Sequence, residues 1–190
     1  ITNSSPSNVQ KQGMGYIPDD RFSAGLVGDF DVQSNVILGA HREAPFARGG
    51  FLNFSKIKEF ARKAIDEFEI KTPSETTISR TLSGGNAQKV IVAREFAQAS
   101  KVLLANQPSR GLDVAVIEYM HERILEKRRA EFGVLMASEE LEELLSLCDR
   151  VLVMFKGRIM GDFPTEDAEI ETIGLLMAGQ DVAPKQPEPV

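Results

Sequence analysis

Two adjacent glycines, Gly84 and Gly85, stand directly before a run with helical periodicity, and this junction constrains the chain more than any other stretch. The string reads Leu82-Ser83-Gly84-Gly85-Asn86-Ala87-Gln88 and continues Lys89-Val90-Ile91-Val92-Ala93-Arg94. Val90, Ala93, Phe96 and Ala97 recur at the spacing of one helix face. Ser83 is a favoured N-cap residue. The junction therefore predicts a helix start with a bare approach. The first backbone N–H groups of a helix lack partners within it and carry partial positive charge. Glycines leave no side chain in the way, so an anion such as phosphate can come close. Taken alone, Ser-Gly-Gly is equally satisfied by an ordinary capped helix after a glycine loop.

A second block follows at Val102-Leu103-Leu104-Ala105-Asn106-Gln107-Pro108-Ser109-Arg110-Gly111-Leu112-Asp113. Lys101 to Ala105 is a strand of the fully buried type, too apolar to alternate. Asp113 to Glu131 is a long helix with Val116, Met120 and Ile124 inward. Asp113 suits its N-cap. Val134 to Ala137 is the next strand, and Ser138 is expected to cap a short helix with Glu139 and Glu140 in its first turn. This strand–helix alternation predicts a parallel sheet covered by helices. Chemistry in such sheets gathers at the strand C-terminal ends, where Asn106-Gln107 and Ser138-Glu139 fall.

The rest of the chain is read in order. Residues 1–12 are polar and read as a loop. Met14 to Ile17 is a short strand ended by Pro18-Asp19-Asp20-Arg21. Val32 to Leu38 is a short helix. Residues 40–53 form a loop around which Phe46, Phe51 and Phe54 gather; most of these are expected to pack inward, although exposed aromatics there would make a docking surface. Ser55 is expected to cap an amphipathic helix with Ile57, Phe60, Ala61, Ala64, Ile65 and Phe68 on one face, ended by Thr72-Pro73-Ser74. Val151 to Phe155 and Arg158 to Phe163 form a hairpin across Lys156-Gly157. Ile170 to Met177 is a last helix with Gly179 beyond it. Residues 180–190 are Pro-rich and read as disordered.

Charge and cysteine content exclude several classes. The 190 residues carry a net charge of −6, which argues against a nucleic-acid surface built from clustered Lys and Arg. The one cysteine, Cys148, allows no internal disulfide and suits a reducing compartment. No apolar run reaches the roughly 18 residues of a membrane span, and no signal peptide is visible. The sequence contains no G-x-x-x-x-G-K-[ST] phosphate loop. It begins with Ile1 rather than Met, so it is expected to be a fragment.

Leu82-Ser83-Gly84-Gly85-Asn86 together with the 102–113 block resembles the signature motif and downstream catalytic block of ABC-type ATPases. From about Gly13 to Asp162 the chain is similar to the second ATPase half of tandem-domain importers for simple sugars and nucleosides, closest to the nucleoside branch. Tyr16-Ile17-Pro18-Asp19-Asp20-Arg21 resembles the Q-loop variant of those importers, with Pro18 or Asp19 at the glutamine position. The resemblance implies an α/β P-loop NTPase-like fold, a three-layer core with a mostly parallel sheet, incomplete here. Residues 1–26 and 100–165 would be catalytic core, 27–99 an inserted helical subdomain carrying the signature, and 166–190 a C-terminal helix and tail.

The same resemblance assigns roles. Ser83, Gly84, Gly85 and Asn86 would meet ATP held by a facing nucleotide-binding domain, and Asp113 matches the D-loop aspartate. Three positions depart from the family pattern. Asn106 replaces the aspartate that supports magnesium, Gln107 replaces the glutamate that polarises the attacking water, and Glu139 stands at the switch histidine. An amide orients water but does not take its proton near neutral pH. A carboxylate facing phosphate repels it. The catalytic positions Gln107 and Glu139 are therefore read as degenerate, with no metal ligand from this chain. ATP and Mg2+ would be bound in the full assembly, with permease subunits contacted through the helical subdomain at the cytoplasmic face of the membrane. Two other classes compete: a non-catalytic module that keeps the fold, and a chromosome-maintenance ATPase fragment. The latter would carry coiled-coil arms, and no sustained heptad stretch occurs.

Overall fold

The computed structural model describes residues 3–99 and 101–180. The chain divides into two compact units, residues 1–137 and 138–190. The predicted disorder beyond Gln180 lies outside the described residues.

The first unit is built on a parallel three-stranded sheet in the order β1–β4–β5, formed by Met14–Ile17 (β1), Val102–Asn106 (β4) and Gly133–Ala137 (β5). Register pairs Ile17 with Ala105 and Asn106 with Ala137, so the strands end together. β4 is apolar but does not bury evenly: Leu103 and Ala105 are enclosed while Val102 and Leu104 are half-buried. The alternation that the apolar run concealed is imposed by one well-covered sheet face.

That face is covered by the helix Gly84–Gln98 (α4), which is the centre of the unit. Every residue from Ala87 to Phe96 is buried. Such a helix has no solvent face, so its polar side chains must find partners inside. They do. Gln88 Nε2 donates to the Pro108 carbonyl at 2.9 Å. Arg94 pairs with Glu95 at 2.7 Å and donates to the Gly25 carbonyl at 2.8 Å. Glu95 accepts the Tyr16 N–H at 2.9 Å, tying the helix to β1. Lys89 reaches the Glu69 carbonyl and lies over the Tyr119 ring. The helix Val114–Arg129 (α5) buries Met120 and Ile124 as its spacing predicts.

Between β1 and α4 lie the helices Val32–Val36 (α2) and Phe54–Glu67 (α3) and a tight pair of two-residue strands, Ala47–Arg48 (β2) and Phe51–Leu52 (β3). α3 buries Ile57, Ala61 and Ala64 as expected, but its cap is Asn53, whose Oδ1 accepts the Lys56 N–H at 3.2 Å, not Ser55. It also ends at Glu67, well before Thr72-Pro73, because Glu69 turns left-handed at φ +49°. The expectation that most of the loop aromatics pack inward is corrected. Phe46 is enclosed against Phe60, whereas Phe51 is 82% exposed and Phe54 70% exposed. Gly49 and Gly50, both at positive φ, turn β2 into β3 and carry Phe51 to the tip of that ribbon. The first stretch is also corrected: Pro6–Lys11 is a short helix (α1), with Ser5 as cap and Pro6 in its first turn.

The second unit holds the helix Leu141–Leu147 (α6), the hairpin Arg150–Phe155 (β6) and Arg158–Pro164 (β7), and the helix Ile170–Met177 (α7). Val151, Val153, Ile173 and Leu176 form its core. Ser138 does not cap α6. The helix starts three residues later, and its first turn holds Glu142 and Glu143 rather than Glu139 and Glu140. Ser138 Oγ instead accepts the Glu140 N–H at 3.0 Å and donates to Glu143 at 2.6 Å, closing a turn ahead of the helix.

Candidate functional site

Ser83 begins α4 in extended conformation (φ −63°, ψ 157°), the geometry of an N-cap. Its Oγ accepts from Asn86 N at 3.4 Å and from Asn86 Nδ2 at 2.9 Å. Asn86 Oδ1 in turn accepts the Lys71 N–H at 2.7 Å. Asn86 therefore fastens the cap to the 68–78 connection, a positioning role. Ser83 is exposed, and Gly84 and Gly85 are partly so. The tip faces outward from the unit.

Its surroundings constrain Gly85 and place a guanidinium beside Gly84. A Cβ on Gly85 would meet Val116 at 3.0 Å, so the start of α5 packs directly against the tip. A Cβ on Gly84 would meet Arg21 Nη1 at 2.8 Å. Arg21 comes from the turn after β1, and its Nη2 donates to the Arg110 carbonyl. Sequence reasoning passed over Arg21. It also passed over Gln88, whose bond to Pro108 ties the signature helix to the loop that follows β4. The available signal was a polar residue, one turn into the helix, leading into the apolar run 90–93.

That loop runs from Asn106 to Asp113. Asn106 is the last residue of β4. Gln107 adopts φ +50°, and its N–H donates to the Ala137 carbonyl at 2.8 Å, extending the β4–β5 pairing by one residue. Ser109 is buried. Gly111 turns left-handed at φ +64°, and Asp113 Oδ1 then caps α5 by accepting the Val116 N–H at 3.1 Å. Asp113 is exposed, so the cap and an outward contact are compatible. The segment carrying Ser83, Gly84, Gly85 and Asn86 is thus tied to the one carrying Asn106, Gln107 and Asp113 through the Gln88–Pro108 bond and the packing of Gly85 against Val116. Glu139 belongs to the second unit, where it is exposed in the turn before α6.

The donor set decides what could bind. Backbone N–H groups, a hydroxyl and a guanidinium suit a phosphoryl group. Asn106 offers a neutral amide oxygen in place of a carboxylate, and among the described residues no group of three His, Cys, Asp or Glu side chains is placed to hold a metal ion. Among those residues, too, no helix is long and apolar enough to cross a membrane.

Comparison with known proteins places this arrangement. No family model matches the chain. The guanosine import ATP-binding protein NupO of Bacillus subtilis is 41% identical over 179 residues, which is 94% of this chain and 35% of that protein. The nucleoside import ATP-binding protein NupA of Lactococcus lactis is 38% identical over 182 residues, 96% of this chain and 36% of that protein. This chain is homologous to ABC import ATP-binding proteins. It spans about a third of the length of these relatives. A ribose import ATP-binding protein of Streptococcus agalactiae matches at 33% identity over 94% of the chain and 36% of its own length. Solved structures give the fold. An ATP-binding cassette of an ABC transporter in its ADP conformation aligns with a TM-score of 0.64 at 22% identity, covering 94% of this chain and 69% of that one. A dimeric cassette in a post-hydrolysis state with ADP and Pi aligns with a TM-score of 0.69 at 17% identity, covering 86% and 68%. The fold is that of an ABC ATPase domain, α/β with a parallel sheet and helices, as the motifs implied.

Proposed function

We propose that this chain is part of the ATP-binding subunit of an ABC importer for nucleosides or simple sugars, and that it supplies Ser83, Gly84 and Gly85 to ATP held by a facing nucleotide-binding domain. The observation that carries this reading is the outward, glycine-lined tip of α4, with Ser83 exposed and neither glycine buried. A tip turned into the core would be unreachable. The dimeric structure of a cassette bound to ADP and Pi supports a facing partner by analogy of fold. The relatives' names support import and the nucleoside or sugar class. Magnesium and the lysine that grips the phosphates would come from the facing domain. The chain's own hydrolytic positions are degenerate in this reading: Asn106 and Gln107 offer amides where the family pattern places the magnesium-supporting aspartate and the general-base glutamate, and Glu139 puts a carboxylate at the switch-histidine position. Permease subunits would be met through residues 27–99 at the cytoplasmic face of the membrane.

Two variants of the full-length protein test this division of labour. Ser83→Arg puts bulk and charge at the tip and should abolish ATP turnover. Gln107→Ala should leave turnover within about twofold, since a residue that does not take part in the chemical step removes little transition-state stabilisation. Circular dichroism of both variants controls for folding. Similar losses from the two would refute the assignment.

A further inference from the structure

Arg21 sits where the protein alone gives its charge little support. Its Nη1 lies against Gly84, the first residue of α4, at the end of the helix where the unpaired N–H groups gather positive charge. Its Nη2 donates to the Arg110 carbonyl and lies 3.8 Å from where a Cβ on Gly111 would stand. The guanidinium thus spans the helix tip and the loop after β4. That is its one hydrogen bond among the described residues, and it forms no ion pair there. The neighbouring carboxylate is occupied elsewhere: Asp20 Oδ1 accepts the N–H groups of Phe22 and Ser23, both at 2.9 Å. Burial pushes the Arg21 guanidinium below its ordinary value, with the Asp20 charge opposing that shift. A guanidinium and a helix N-terminus repel. A single anion placed against both relieves the repulsion and takes up the unused N–H edge of the arginine.

We propose that Arg21 is a phosphoryl contact of the signature tip, meeting the same terminal phosphoryl group as the Gly84 and Gly85 amides. This rests on the reading that a facing domain presents ATP at that tip. It adds the one positively charged side chain that the Ser-Gly-Gly string itself lacks. An arginine fits the position better than a lysine. Its planar fork holds the Arg110 carbonyl with one nitrogen while another meets the phosphoryl oxygens; a single ammonium serves one partner well. The arrangement also gives the nucleotide a direct line to the Pro18–Arg21 turn and to the Arg110–Asp113 loop, because the same guanidinium touches both segments.

A plain strut between two loops is the competing role, and it differs in what it changes. A strut contributes to the melting midpoint without nucleotide. A phosphoryl contact contributes to the upward shift of that midpoint when ATP binds, and to kcat/KM. The experiment uses the full-length protein containing this chain, with the variants Arg21→Gln, Arg21→Lys and Ser83→Arg. Losing one charge-assisted contact lowers kcat/KM about tenfold in Arg21→Gln, equivalent to about 1.4 kcal/mol, and diminishes the ATP-induced shift of the midpoint. Arg21→Lys, which keeps charge without the fork, falls about threefold. Wild-type kcat/KM and a wild-type ATP-induced shift in Arg21→Gln, with Ser83→Arg inactive, overturn the role of Arg21 and leave the signature reading standing. Wild-type turnover in Ser83→Arg overturns the signature reading itself. Should Arg21→Gln not fold, the lysine variant carries the test, and an undiminished kcat/KM there overturns the proposal.

Discussion

At the scale of single residues, space decides what the same substitution does. Gly15 lies in β1 under α4. A Cβ there would stand 2.8 Å from the Ala99 Cβ and 3.2 Å from the Glu95 carbonyl oxygen. Neither neighbour is the loose end of a side chain, so the strand must shift. Gly15→Ala should destabilise by about 1–3 kcal/mol, the usual cost of overpacking. Gly174, inside α7, has nothing within 4 Å of the same added atom. Gly174→Ala should stabilise by up to about 1 kcal/mol through helix propensity. Urea midpoints of the two variants should move in opposite directions, and a shared direction would contradict the packing described.

Tyr119 gives a second residue-scale expectation. Its hydroxyl oxygen is enclosed, and burial pushes the phenol up to about 12, with the charge and hydrogen bonding of Arg123 acting the other way. The neutral phenol is therefore favoured in the folded state. That contribution is whole below the ordinary tyrosine value of about 10 and is lost as pH rises from there through the native value. Tyr16→Phe leaves Tyr119 as the only tyrosine, because the chain has two. Its ultraviolet titration in the folded protein should then have a midpoint near 12; a midpoint near 10 would mean that the phenol is solvated.

At the scale of elements, the caps and cross-strand pairs were partly visible in the residue order. Ser83 and Asp113 were readable as caps because their side chains satisfy N–H groups only three residues along. Asn53 was harder to see beside Ser55, since both are good capping residues and only the path of the preceding β3 strand selects one. The β6–β7 hairpin was legible from its Lys-Gly turn, but not the pair across it. Arg150 lies opposite Pro164 and Asp162 opposite Leu152, so the two meet diagonally across the ladder and pair through both carboxylate oxygens. Hydrogen bonding from Arg150, aided by its charge, holds the Asp162 carboxyl below its ordinary value. The pair's contribution is present above the ordinary aspartate range and is lost as pH falls through that lowered native value. A carbon-detected NMR titration should find Asp162 protonating at lower pH than a free aspartate, and Arg150→Gln should raise its midpoint. An Asp162 midpoint indifferent to Arg150 would mean that the pair does not persist in solution.

At the scale of the whole molecule, the expected behaviour follows from what the residues can grip. The phosphoryl donors proposed for the first unit have no accompanying phosphate-loop lysine in the sequence and, among the described residues, no cluster of three His, Cys, Asp or Glu side chains placed to hold a metal ion. The isolated 190-residue chain should therefore show no magnesium-dependent phosphate release and weak ATP affinity. Contaminant-free protein that releases phosphate at a rate scaling with its own concentration would contradict this.

Residue order by itself determined the local pieces: the parallel strand–helix alternation, the glycine-lined start of α4, and the amides where the family pattern has carboxylates. These are short-range properties, set by backbone conformation, side-chain period and functional group, and they are written position by position. Tertiary structure alone decided that α4 is buried all round, that Phe51 and Phe54 stay outside while Phe46 goes in, and that Arg21 reaches Gly84 and Arg110 across 63 and 89 positions of sequence. The reason is that burial and long-range charge depend on which distant segments close over a residue, and no periodicity within a single segment encodes its neighbours.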